Sequence, residues 1–134
     1  DIFRDEMPFD INAPVIEIAP EDYGIWFVDA MDHPATYKGK TVHFKGRAMK
    51  PRSLGNKFFV PGRTAMTCCA EDMAFLGYAC EFPGADALKQ KEWVKVTATV
   101  SKEYWKDYKG EGPILHAVSV EKAKAPKEEI ISFA

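Results

Sequence analysis

No stretch of this 134-residue chain comes near the ~18 to 20 consecutive apolar residues that a bilayer-spanning helix requires. Neither sign of charge is in excess: 18 Lys and Arg against 20 Asp and Glu leave a net charge of −2. The broad basic field that draws a protein to polyanions is therefore missing, and nucleic acid is not an expected partner. Histidine and cysteine are scarce, at three each. So few histidines limit the bases available to any nucleophile, and an odd number of cysteines leaves at least one unpaired or metal-bound in an oxidising compartment. There is no internal repeat and no low-complexity tract. What remains is enough chain for one domain, which at this size withdraws roughly two thirds of its surface from water on folding. The first residue is Asp1 rather than Met, so the expectation is a piece of something longer.

Two of the three cysteines are adjacent, in Arg63-Thr64-Ala65-Met66-Thr67-Cys68-Cys69-Ala70-Glu71-Asp72. Thiolates suit zinc or another soft or borderline metal such as Cu(I), and carboxylate or imidazole completes such sites. If Cys69 ends a strand and Ala70 opens a helical turn, Asp72 comes round to the same side three residues later. His116 is the expected fourth ligand, and Arg63 has the planar fork to hold Asp72 or an anionic ligand. The alternatives are structural: one thiol a small buried hydrophobe, Arg63 a surface ion pair. Adjacent strand residues face opposite ways, so both thiols meet one ion only if the backbone turns between them. Cys80 alternates with Tyr78 and Phe82 and reads as core. His43, on the polar face of its strand, and His33, at a helix end, read as solvent-exposed. No hydrolase or oxidoreductase signature surrounds the thiols, which favours a non-enzymatic domain, with thiol redox chemistry or thiol-dependent catalysis as an alternative.

Residues 1–13 read as a flexible lead-in, 14–126 as one domain, and 127–134 as a charged tail. Val15 to Ile18 predicts a strand. Pro20 opens a helix through about Met31, which His33-Pro34 ends. The period then changes to two, with Val42, Phe44 and Ala48 on one face of a strand and Gly46 a bulge or bend. Lys57 to Cys68 predicts a second strand, bent or split at Pro61-Gly62. A short helix over Ala70 to Leu76 follows, then strands over Tyr78 to Phe82, Trp93 to Ser101 and Ile114 to Glu121, with a further helical turn at Asp86 to Lys91. His116 is placed on one face with Ile114, Val118 and Val120. Five strands with a leading helix and a short mid-chain helix make a mainly β (α+β) fold, a small OB-like barrel. Tyr104 and Trp105, interleaved with lysines, form a ligand-binding candidate of the stacking kind or cap one barrel mouth.

The runs Phe58-Phe59-Val60-Pro61-Gly62-Arg63, Cys68-Cys69-Ala70-Glu71-Asp72 and Glu92-Trp93-Val94-Lys95-Val96-Thr97-Ala98 give the stretch from Pro14 to Pro126 a further meaning. Together they resemble the C-terminal domain of the YcgQ family, bacterial proteins regarded as permease subunits, whose soluble domain has no established function. The resemblance implies hydrophobic segments upstream and a membrane-associated protein whose soluble domain is extracytoplasmic. It also implies a permease subunit as partner, beside a metal ion or small ligand. The sequence-level alternative is an OB-type binder of nucleic acid or oligosaccharide at Tyr104 and Trp105.

Overall fold

A computed structural model describes residues 7–66 and 71–132. The elements in chain order are β1 (Val15–Glu17), α1 (Tyr23–Asp32), α2 (Pro34–Tyr37), β2 (Thr41–Met49), β3 (Phe58–Met66), β4 (Met73–Gly77), β5 (Cys80–Glu81), β6 (Trp93–Trp105), β7 (Gly110–Lys122) and β8 (Ile130–Ser132). The fold is mainly β, with one three-turn helix near the start. Strict period-two burial along β2, with Val42, Phe44 and Ala48 inside, is what a strand half-covered by core demands. The same alternation buries Val94, Val96, Ala98 and Val100 on β6.

The strands form one sheet whose pairings return on themselves. β2 pairs antiparallel with β6, β6 with β7, β7 runs parallel to β5, β5 pairs with β3, and β3 pairs back with β2. β1 adds to β2 in parallel, while β4 and β8 flank the second half of β3. Among the described residues the sheet thus has eight strands, not five. β3 is unbroken through Pro61-Gly62, but its neighbours change there. Its first half lies between β2 and β5, its second half between β8 and β4.

Helix α1 fills one end of this circuit. Trp26 packs against Phe44 and Tyr78 with ring centroids 5.1 and 5.6 Å apart, and Phe27 stacks on Tyr78 at 4.5 Å. The hydroxyls tie helix and sheet together: Tyr23 Oη donates to Leu76 O at 2.9 Å, and Tyr78 Oη to Phe27 O of α1. Burial raises the pKa of both phenols, so both are neutral donors.

Three expectations change. The segment predicted to hold the mid-chain helix is strand β4, because the edge of β3 offers a ladder from Gly62↔Gly77 to Met66↔Met73. Helix-forming Met, Ala and Leu yield to that pairing. After His33 ends α1, Pro34 starts a second short helix, α2, since proline suits a first helical position. On β7, a bulge between the Thr97↔Ser119 and Ala98↔Ala117 pairs leaves Val118 unpaired and 68% exposed. His116 therefore does not share a core face with Val118 and Val120. At the chain's ends, Phe9 is buried in the core and Ile130–Ser132 extends the sheet.

Candidate functional site

Cys68 and Cys69 lie outside the described residues, and β3 and β4 are the strands their segment joins. Met66 and Met73 face each other across that hairpin's last pair, and exposed Asp72 immediately precedes Met73. Met49 and Met73 line a cavity of about 290 Å³ beside the hairpin, together with Arg47 and Lys91. Three of the chain's five methionines are thus placed near the sequence segment that carries the thiol pair. Among the described residues, no group of three or more His, Cys, Asp and Glu side chains is arranged to hold a metal ion. Cys80, the remaining thiol, is buried, and burial pushes its pKa up to about 12, which makes it inert.

His116 sits elsewhere. Its register partner on β5 is Glu81, and Glu81 in turn pairs with Phe58 at the start of β3. Asp72 follows the other end of that strand, eight steps away at ~3.3 Å each. The imidazole is held by carboxylates instead: Glu81 Oε1 lies 3.0 Å from Nδ1 and Glu103 Oε2 lies 3.2 Å from Nε2. Ser101 Oγ is 2.9 Å from Nε2 and also donates to Glu103. Burial alone would lower the imidazole pKa, but hydrogen bonds to Glu81 and Glu103 and their charges outweigh it, and the net shift is upward. Glu103 moves down, chiefly through the Ser101 hydrogen bond and then His116.

Arg63 is not a surface ion pair. It is 1% exposed, and its guanidinium donates from Nη1 to Pro20 O at 2.9 Å and from Nη2 to Glu128 O at 2.8 Å. It therefore ties the turn before α1 and the segment before β8 to the middle of β3. Nε has no partner, and no carboxylate among the described residues is within ion-pair distance. Both Arg63 and Arg47 lie over the Trp93 ring, at 5.6 and 5.2 Å from its centroid. A cavity of about 630 Å³ opens beside Arg63, walled by Lys45 on β2 and by the segment from Ala125 to Ser132.

Tyr104 is 68% exposed on β6. Trp105, next to it, packs on Phe58 at 5.3 Å and near Tyr108 at 6.3 Å, forming an aromatic row. Tyr108 is fixed in turn: its hydroxyl donates to Pro113 O at 2.8 Å and accepts from Ala79 N at 3.0 Å. The β6–β7 hairpin carries the row further than the sequence reading placed the strand, since β6 runs to Trp105. Sequence reasoning missed Lys45, Met66, Met73, Glu81 and Glu103. Register sets Met66 opposite Met73 and Glu81 opposite His116, Glu103 reaches His116 diagonally from β6, and neither register nor reach is written locally in the chain. Lys45 was visible on the polar face of β2, but the segment that makes a cavity of that face comes some 80 residues later.

Residues 3–131 match the family described as the DUF1980 C-terminal domain. The chain is also similar to the UPF0703 protein YcgQ of Bacillus subtilis (strain 168), 25% identical over 117 residues. That alignment covers 87% of this chain and 41% of the relative, so the chain spans less than half of that protein's length.

Proposed function

This chain belongs to the DUF1980 C-terminal domain family, and from that premise we propose that it is a non-enzymatic ligand-binding domain which holds a soft or borderline metal ion at the β3–β4 hairpin. It would serve as the extracytoplasmic soluble part of a membrane-associated, permease-linked bacterial protein. The permease link and the location rest on resemblance to the YcgQ family. No described helix is long and apolar enough to cross a membrane.

One observation carries the metal reading: Met66 stands opposite Met73 at the base of the segment bearing Cys68, Cys69 and Asp72. Thiolate with carboxylate is a zinc-type donor set, whereas thiolate with thioether is the donor set of Cu(I). The test is competition of Zn²⁺ and Cu⁺ against colorimetric chelators, on reduced, untagged protein. The parent takes up about one equivalent of one of them, and Cys68→Ser/Cys69→Ser takes none. A Met66→Leu/Met73→Leu double variant keeps volume and apolarity while removing both thioethers. It weakens Cu⁺ binding at least tenfold and leaves Zn²⁺ binding unchanged. No uptake of either ion by folded parent protein defeats the reading.

A second reading is favoured by the strand order. The circuit β2–β6–β7–β5–β3, with β5 and β7 parallel, supports an OB-type barrel, a fold that binds oligonucleotides and oligosaccharides on its strand face. The row of Phe58 and Trp105, with exposed Tyr104 beside it, is the surface such a ligand would stack on. Titration with short single strands and with oligosaccharides at low salt decides it. Saturable binding lost in Trp105→Ala is the expected result on this reading, and no binding at low salt ends it.

A further inference from the structure

We propose that the cavity beside Arg63 is a binding site for a small organic anion, whose carboxylate or phosphate group is taken by the guanidinium. This site is separate from the thiol hairpin and does not depend on any metal there.

The argument starts from charge. An arginine stays protonated at every working pH, and a buried cation with no counter-ion costs several kcal/mol relative to water. Arg63 is 1% exposed, and its two acceptors among the described residues are both neutral backbone carbonyls. Burial pulls its pKa down, and Tyr23 and Glu129 push the other way. Glu129 attracts it from beyond ion-pair distance and is itself 3.8 Å from Arg47. Among the described residues the guanidinium is therefore satisfied in part as a hydrogen-bond donor and only weakly as a charge, through distant Glu129 and the Trp93 ring. Its open position is Nε, next to the Nη2 that donates to Glu128 O. The Nε and Nη2 edge is one of the two on which a planar oxyanion docks with paired hydrogen bonds.

The surroundings fit an anion with an organic body. Lys45 and Lys127 line the same cavity and add positive charge, while Glu21 and Glu128 also line it and hold the field below that of an all-basic site. Ile130 and Ile131 supply apolar wall. A volume of about 630 Å³ is several times what bare phosphate fills and lies within the range of small-molecule sites. An oxyanion at Arg63 would take the position on Nη2 that the Glu128 carbonyl now occupies or share it. Trp93, stacked on Arg63, is the natural reporter, because a changed charge beside the indole alters its fluorescence.

The experiment titrates the folded domain with inorganic phosphate and, separately, with hexanoate. Tryptophan fluorescence and calorimetry follow binding at constant ionic strength, with chloride as the control anion. Saturable binding of at least one titrant and none of chloride is the expected result. Binding of phosphate alone identifies a phosphoryl ligand, and binding of hexanoate alone a carboxylate. Arg63→Met abolishes binding, but it also unties two chain segments and so carries a folding risk. Lys45→Glu avoids that risk, since Lys45 is on the outer face of β2, and it weakens binding at least tenfold with an unchanged melting temperature. No saturable response to either anion up to about 10 mM, where a Kd near 1 mM would be evident, overturns the proposal. So does binding of equal strength in the parent and in Lys45→Glu.

Discussion

Gly62 is where the chain's geometry is least forgiving. It pairs with Gly77 across β3 and β4 and with Arg47 across β3 and β2, at the point where β3 exchanges neighbours. A Cβ added there would lie 2.3 Å from Leu76 O and 2.7 Å from the Phe75 ring. The carbonyl is backbone within a ladder and cannot swing aside. Gly62→Ala should therefore destabilise the domain by ~3 kcal/mol, the upper range for overpacking, as measured by urea unfolding. Gly110 is the control: a Cβ there meets nothing within 4 Å, so Gly110→Ala should be neutral or slightly stabilising. Equal effects of the two substitutions would show that the crossing is not tightly packed. The sequence displayed Pro61-Gly62 as an interruption, and at residue level that was informative. What it could not display is that the glycine marks a close crossing and the strand continues past it. Arg63 teaches the same lesson, for its neighbours Pro20 and Glu128 are 43 and 65 residues away.

At the scale of elements, the strands that alternate cleanly were legible. β2 and the first two thirds of β6 announce themselves because one face meets core and the other water, and side-chain chemistry records that difference. β4 was not legible. Met73-Ala74-Phe75-Leu76 is apolar throughout and made largely of helix formers, and the partner that makes it a strand, the second half of β3, is supplied by tertiary pairing. β8 is three residues long, too short for any period to show, whereas the two-residue β5 lies within the alternating Tyr78 to Phe82 run that predicts a strand with Cys80 inside. The far part of β7 fails for a different reason. Alternation read backward from Val120 and Val118 puts His116 inside, but the bulge at Val118 shifts the phase, and His116 lies half-exposed among carboxylates. A single unpaired residue thus turned a candidate metal ligand into the centre of an ion cluster. At the candidate hairpin Asp72 is exposed just before β4, and the thiol pair lies outside the described residues.

For the molecule as a whole, the consequence lies in how the sheet closes on itself. β5 joins β7 through just the pairs Cys80↔Leu115 and Glu81↔His116, as few as join it to β3, so one of the circuit's two shortest seams is also where His116 binds Glu81 and, from β6, Glu103. The pH dependence of that seam follows from the two shifts. His116 has a raised pKa in the fold, so its stabilising contribution is complete below its unfolded value of ~6.5 and is lost as pH rises through the folded value. Glu103 has a lowered one, so its contribution is complete above its unfolded value of ~4.3 and is lost as pH falls through the folded value. Both hold together between about pH 5 and pH 6. The melting temperature of the parent should therefore exceed that of His116→Gln by most in this window, and the gap should close toward pH 9. Because the groups are partly solvated, the gap amounts to a few degrees at most. Glu81→Gln in the His116→Gln background should add little, since its partner is already gone. A gap that stays constant from pH 5 to pH 9 would mean that the imidazole contributes by packing alone, and that the seam is held by Cys80, Leu115 and the backbone ladder without help from charge.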